Sequence, residues 1–176
     1  MTGCASTGPT NSSMRAAPLH SQNGTLPDLT KFDIATVVPF DATKSGKADA
    51  YVGEGFAEGI AQRLKDDFGP LFKQVNSGKP TGATNELIIT GEITTYSPGS
   101  RMLRGLLIGL GAASFKGNVS LKEGNTELVQ IPFSKLWAWG GTLGQSRGIE
   151  EMEAEVSASI ANTVARQKGW KPESGK

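Results

Sequence analysis

From Glu86 to Ala113 the chain reads ELIITGEITTYSPGSRMLRGLLIGLGAA, and this stretch decides the predicted fold. Apolar and β-branched side chains alternate with polar ones from Leu87 to Tyr96, which predicts a strand with one buried face. Ser97-Pro98-Gly99 predicts that the strand ends there. The segment that follows is short, apolar and rich in glycine, and it carries Arg101 and Arg104 at its start.

The alternation also assigns the faces of this strand. The more apolar set is predicted to lie against helices, and it comprises Leu87, Ile89, Gly91, Ile93 and Thr95. A glycine inside a strand is typical of a bulge or of close backbone approach, so Gly91 predicts either a bulge or a helix crossing close over the sheet.

The residues before this strand predict a strand followed by a helix. Phe32–Phe40 is dominated by β-branched and aromatic residues, and its Pro39 favours a strand end or an edge. Tyr51–Val75 has apolar residues spaced by three or four, which is the spacing of one helix face. Gly69-Pro70 predicts a break or kink in this helix. The apolar positions are Val52, Phe56, Ile60, Leu64, Phe68, Leu71 and Val75.

The residues after it predict a hairpin and a closing helix. Strands at 115–122 and 127–139 are joined by the turn sequence Glu123-Gly124-Asn125-Thr126. Ile149–Lys168 has the apolar stripe of a second helix, followed by Gly169 as a natural terminator. The order β-α-β-β-β-α predicts a two-layer α+β domain, in which two helices pack on one face of a small mixed or antiparallel sheet of about four strands.

Composition excludes several classes of function. Lysine plus arginine (18) nearly balance aspartate plus glutamate (17), so no basic excess supports nucleic-acid binding. One cysteine rules out an intrachain disulfide, and one histidine gives little support to a zinc site or a histidine-dependent triad. We therefore predict no metal and no cofactor. The longest apolar run, Leu106–Ala113, is too short to span a membrane.

The first residues, Met1-Thr2-Gly3-Cys4, resemble the end of a bacterial lipobox. That resemblance implies cleavage before Cys4, a lipid on its sulfur, and, since Ala5 is not aspartate, sorting to the outer membrane. The alternative is a free cysteine in a flexible tail. Residues 5–31 are rich in Ser, Thr, Asn, Gly and Pro, which predicts a disordered tether. The predicted organisation is residues 1–31 anchor and tether, 32–168 domain, and 169–176 loose tail, from which Trp170 can fold back.

The glycine-rich segment is the candidate interaction site. It matches neither a Walker A motif nor a dinucleotide-binding fingerprint, so a nucleotide loop is excluded. One interpretation is a structural turn, bulged strand or buried crossing. The other is a surface with an apolar patch and a basic rim, which would bind a partner or a membrane. That predicted surface comprises Arg101, Arg104, Leu106, Leu107 and Leu110.

Catalysis has little support in the sequence. No nucleophile has a plausible base partner, and Asp66 and Asp67 are adjacent on a helix and point in different directions. The alternative function is a periplasmic hydrolase or carbohydrate-acting enzyme. Trp137 and Trp139, on one strand face, would then stack a sugar, although such a pair more often serves packing.

A family resemblance is carried by Thr90-Gly91-Glu92-Ile93-Thr94, Pro98 to Arg101, Arg104 and Gly109 to Ala112, together with Val37 to Phe40. With these motifs the chain resembles bacterial lipoproteins of domain-of-unknown-function family 4410, over about Phe32 to Arg166. The resemblance implies no enzyme activity. It implies a lipid-anchored protein at the periplasmic face of the outer membrane, whose envelope protein partner is unknown.

Overall fold

The structure, a computed structural model, describes residues 16–20, 25–45, 50–98, 113–137 and 148–172. These residues form one mixed five-stranded sheet in the order β2-β1-β3-β4-β5, with two α-helices packed on it. The elements are β1 (Ile34–Val37), a 3-10 turn (Thr43–Ser45), α1 (Ala50–Phe68), a second 3-10 turn (Gly69–Leu71), β2 (Gln74–Ser77), β3 (Glu86–Ser97), β4 (Ala113–Glu123), β5 (Thr126–Trp137) and α2 (Ile149–Gln167). The predicted two-layer α+β class is confirmed, with one strand more than expected.

The additional strand is β2, which the sequence pattern placed inside the first helix. The α-helix ends at Phe68, because Pro70 cannot donate the hydrogen bond that would continue it. The chain then becomes extended and pairs in parallel with β1, so that Val75 lies opposite Ala35. Val75 matched the helical spacing, but it is a strand residue. Long-range pairing with the edge of β1 decided its conformation.

The core lies between the helices and one face of the sheet. Leu87, Ile89 and Ile93 are fully buried, as the alternation along β3 predicted. The predicted stripes are buried in both helices, apart from the half-buried Val52 and Leu71 and the misassigned Val75. The buried stripe residues are Phe56, Ile60, Leu64 and Phe68 in α1, and Ile149, Met152, Val156, Ile160 and Val164 in α2.

Phe40 connects the first helix to the sheet through two glycines. A Cβ built on Gly53 would lie 2.0 Å from the Phe40 carbonyl oxygen, so only glycine fits at this position of α1. A Cβ on Gly91 would lie 2.7 Å from the Phe40 ring. The Asn118 carbonyl oxygen of β4 would lie nearer still, at 2.0 Å. The close approach predicted at Gly91 is therefore made by the neighbouring strand and the Phe40 ring, not by a crossing helix. The ring also packs edge-on against Phe56, at 4.9 Å between centroids.

The bulge in β3 lies at Thr94 rather than at Gly91. Ile93 pairs with Gly117 and Thr95 with Lys116, so one residue of β3 is extra. The insertion reverses the alternation beyond this point. Thr95 is therefore not on the helix-facing side as expected, whereas Tyr96 turns inward and packs edge-on against Phe115 at 6.0 Å.

The predicted hairpin joins β4 and β5. Gly124 has φ +56°, the left-handed conformation that a tight two-residue turn requires. Pro132 lies on β5, an edge strand, where a residue without an N–H is tolerated. The second helix ends as predicted: Gly169 has φ +101°, and the Trp170 N–H bonds to the Ala165 carbonyl at 2.9 Å.

The segment assigned to a disordered tether is partly docked on the domain. Leu29 is fully buried and its N–H bonds to the Gln167 carbonyl at 3.0 Å. The Leu19 N–H bonds to the Thr163 hydroxyl of α2 at 2.7 Å. These apolar residues contact α2, a surface that the sequence does not reveal. At the other end, Trp170 packs edge-on against Phe68 at 5.2 Å.

Candidate functional site

The residues predicted as functional lie outside the described part of the chain. Cys4, Arg101, Arg104, Leu106, Leu107, Leu110 and Trp139 belong to ranges that the structure does not describe. Trp137 is the last residue of β5, and its side chain is not described either. The predicted interaction surface and the sugar-stacking alternative therefore stay predictions.

The described residues form a different candidate site, a cleft of about 250 Å³ between the two helices. We call it the interhelical cleft. It is lined by Gly59 and Arg63 of α1, and by Glu150, Glu153, Ala154 and Ser157 of α2. These residues meet because four- and three-residue spacings repeat on one side of each helix, next to its buried stripe. The cleft therefore carries two carboxylates, a guanidinium and a hydroxyl.

Burial increases from the rim of the cleft to its floor. Glu150 is exposed, Glu153 is half-buried and Ser157 is only 2% exposed. Gly59 lies opposite Ser157, and a Cβ built on it would be 3.5 Å from the Ser157 hydroxyl oxygen. The absent side chain at Gly59 is thus what keeps the serine accessible from the cleft.

The electrostatics of the cleft are dominated by its carboxylates. Burial raises the pKa of Glu153, and the negative charge of Glu150 raises it further. The pKa of Tyr96 is raised by burial, and then by the charges of Glu153 and Glu150. The phenol at the end of β3 therefore shares the environment of both carboxylates. Such a site is suited to groups that donate hydrogen bonds or carry positive charge.

A second buried carboxylate, Glu86, has a structural role. Its oxygens accept hydrogen bonds from the Thr36 hydroxyl at 2.5 Å and from the backbone N–H groups of Thr81 and Gly82 at 2.8 and 2.9 Å. Burial disfavours the charged form, but these hydrogen bonds outweigh it and lower the pKa of Glu86. These bonds tie β3 to β1 through Thr36 and close the loop before β3 through Thr81 and Gly82.

The sheet face opposite the helices carries polar side chains, and part of it is buried. Glu92 lies there, bound by Lys44 at 2.8 Å. The 12-residue strand β5 forms one edge of the sheet, and Leu136 near its end is 63% exposed. On the helix side of the same strand, Lys135 pairs with Glu155 at 3.2 Å. Among the described strands, β5 is the longer of the two edges, since β2 has four residues.

Sequence reasoning missed the interhelical cleft. Glu150 and Glu153 lie near the N-terminus of α2, where acidic side chains are favourable, but that position does not account for the placement of Glu153 beside a buried serine. A signal was present: Glu150, Glu153 and Ser157 follow helical spacing on one flank of the apolar stripe. The described residues contain no group of three or more His, Cys, Asp or Glu side chains arranged to hold a metal.

The described residues define a small α+β domain with one helical layer on a mixed sheet. Neither a family model nor a curated protein matches the chain, so the resemblance to family 4410 stays a prediction. None of the described helices is both long and apolar enough to cross a bilayer.

Solved structures with a similar fold include the PelC dodecamer from Paraburkholderia phytofirmans. One crystal form matches with a TM-score of 0.53 and 12% identity, over 79% of this chain and 93% of PelC. A second crystal form matches with a TM-score of 0.52 and 13% identity, over 82% of this chain and 94% of PelC. A Xanthomonas campestris protein of domain-of-unknown-function family 330 matches with a TM-score of 0.41 and 10% identity, over 88% of this chain and 91% of its own. Such identities show the fold alone.

Proposed function

We propose that this chain is a non-enzymatic lipoprotein of the cell envelope, anchored through Cys4 at the periplasmic face of the outer membrane, which acts by binding and assembly. The observation that carries the proposal is the single helical layer. Both described α-helices lie on the same face of the sheet, so the other face and the 12-residue β5 edge carry no described helix. The lipobox-like Met1–Cys4 supports the anchor.

The β5 edge is the surface that we assign to assembly. An edge strand presents backbone donors and acceptors that a second chain can pair with. Pro132 and Lys135 on this strand are residues that protect edges against indiscriminate pairing, so the partner must be specific. PelC, which shares the fold at low identity, forms a dodecamer. We therefore propose that the partner on this edge is a second copy of this chain.

The anchor and the assembly are tested separately. The gene is expressed behind its natural upstream region, the membranes are fractionated, and the N-terminal peptide is examined by mass spectrometry. We expect a lipid on Cys4. The variant Cys4→Ala should be released from the membrane. Unmodified Cys4 in a cytosolic product would refute the anchor.

For assembly, the solution mass of the full chain is compared with that of Leu136→Lys. The matched control is Tyr51→Lys, which changes an 80% exposed apolar side chain on α1 instead of the edge. Leu136→Lys should reduce the mass of the assembly, whereas Tyr51→Lys should not. A monomeric wild-type chain would contradict self-assembly through β5.

The alternative, a carbohydrate-acting enzyme that uses Trp137 and Trp139, is the competing outcome. The test measures whether the wild-type chain releases sugar from envelope polysaccharides. If it does, and if Trp137→Ala and Trp139→Ala abolish the release at unchanged thermal stability, the enzyme is the correct function and the non-enzymatic proposal is wrong.

A further inference from the structure

Ser157 is a buried hydroxyl that the fold itself leaves unused. Ser159 and Thr163, on the same helix, donate to the carbonyls four residues earlier, at 3.0 and 2.7 Å. Ser157 is as deeply buried, at 2% exposure, but has no hydrogen-bond partner among the described residues. Every fully enclosed side-chain N or O atom in this part of the chain has a partner, so the Ser157 oxygen must be reached from the interhelical cleft.

Glu153, one helical turn before Ser157, is likewise unused. Two residues further on, Glu155 pairs with Lys135, whereas Glu153 has no hydrogen bond or ion pair with any described residue. Arg63 also lines the cleft. Burial and the charge of Glu150 nevertheless raise the pKa of Glu153, and no cation among the described residues lowers it. A half-buried carboxylate without a counter-ion lowers the stability of the folded state. Such an arrangement is typical of a group reserved for a ligand.

We infer that the interhelical cleft binds a primary ammonium group, with Glu153 as its charged acceptor, Ser157 as its buried acceptor and Glu150 at the rim. An ammonium has three N–H donors and no acceptor, which matches the two carboxylates and the hydroxyl of the cleft. The two carboxylates together carry more negative charge than the Arg63 guanidinium carries positive charge. Its hydrogen bonds to a carboxylate are charge-assisted and therefore among the stronger ones. The inference is independent of the proposed anchor and of assembly through β5.

Gly59 provides a test that fills the cleft without damaging the fold. In Gly59→Ala the new methyl group would sit at ordinary contact distance, 3.5 Å, from the Ser157 hydroxyl and would occupy the space of the ammonium. The matched control is Gly55→Ala, one turn earlier on α1, where a Cβ meets nothing within 4 Å. Both changes favour the helix, so only their effect on binding should differ.

The experiment is a titration of the full chain with n-butylammonium, followed through the backbone amide signals of Ala154 and Ser157. We expect saturable shifts with a dissociation constant on the order of millimolar, which suits so small a ligand. Glu153→Gln and Gly59→Ala should each weaken binding by about tenfold, as expected for the loss of one strong hydrogen bond. Gly55→Ala and the exposed charge control Glu58→Gln should bind as the wild type does. The neutral isostere n-butanol should cause no saturable shift.

Two further ligands distinguish the source of the ammonium. Tighter binding of Nα-acetyl-lysine methylamide points to a lysine on a protein partner, whereas tighter binding of putrescine points to a free amine; either supports the site. Any of three results would overturn the proposed ammonium site. These are weakening of binding in Glu58→Gln to the same extent as in Glu153→Gln, binding of n-butanol as tight as that of n-butylammonium, and the absence of saturable shifts with n-butylammonium. Glu153→Gln should also raise the urea midpoint, because it removes a charge that burial disfavours, and a lowered midpoint would show instead that Glu153 stabilises the fold.

Discussion

Gly53→Ala is the substitution that most directly tests how α1 is seated on the sheet. Gly53 is buried, and its carbonyl accepts the Phe40 N–H at 3.2 Å. A Cβ at this position would lie 2.0 Å from the carbonyl oxygen and 3.0 Å from the carbonyl carbon of Phe40. Both obstructing atoms belong to the backbone, so no rotamer change can relieve the clash. The helix and the chain at Phe40 must move apart by about 1.5 Å to reach ordinary contact distance.

The magnitude follows from three contributions. Alanine favours a helix over glycine by about 1 kcal/mol. Overpacking a well-packed core costs about 1–3 kcal/mol, and losing the Phe40 N–H bond costs about 1 kcal/mol more. The expected net effect is a loss of about 2 kcal/mol. Gly55→Ala meets no atom within 4 Å, so the same propensity term should there stabilise the protein by up to about 1 kcal/mol.

Urea unfolding of the full chain, monitored by circular dichroism, measures both effects. The midpoint should fall in Gly53→Ala and rise in Gly55→Ala, with similar m-values, because neither change alters the surface exposed on unfolding. If both variants gained stability equally, the close approach of the Phe40 carbonyl would be wrong, and with it the position of α1 on the sheet.

Three other predictions concern the core and the helix terminus. Ile93→Ala and Ile160→Ala should each cost about 2–5 kcal/mol, since both side chains are buried; unchanged urea midpoints would show that the faces are misassigned. Glu86→Gln should cost about 1–3 kcal/mol at pH 7. Because the pKa of Glu86 is lowered in the folded state, the carboxylate stabilises the fold at pH values above 4.5, its ordinary pKa, and this stabilisation is lost as the pH falls below that value. The urea midpoints of wild type and variant should therefore converge in acid. A gap between them that stays constant with pH would contradict the assignment. Gly169→Ala, at φ +101°, should lower the free energy of unfolding by about 1–2 kcal/mol, whereas an unchanged value would mean that another residue ends α2.

The parts of the fold that the sequence determined are those coded within single elements. Alternation along β3 assigned Leu87, Ile89 and Ile93 to the core, and three- and four-residue spacing identified the buried stripe of α2. The turn at Gly124 and the helix end at Gly169 were also predictable, because left-handed backbone favours glycine at defined positions. Each signal lies within a few residues and needs no distant partner.

Tertiary structure decided the features that join distant segments. Val75 belongs to β2 only because the edge of β1 accepts it, and the extra residue Thr94 in β3 reversed the side on which Thr95 lies. Leu29 is ordered because α2 offers it a place in the core. A local pattern cannot encode such pairings, because the same residues are equally compatible with a helix or with a disordered segment. Contact with a distant segment decides between these conformations.

The interhelical cleft is the clearest case of this division. The sequence contained the spacing of Glu150, Glu153 and Ser157 on α2, and it contained Gly59 on α1. Spacing shows that residues share a helix face, but it does not show which other helix that face meets. The packing of α1 beside α2 made Gly59 the residue that opens the cleft, buried Ser157 without a hydrogen-bond partner among the described residues and raised the pKa of Glu153. Burial and the loss of solvent are properties of the assembled layers, and only tertiary structure could assign them.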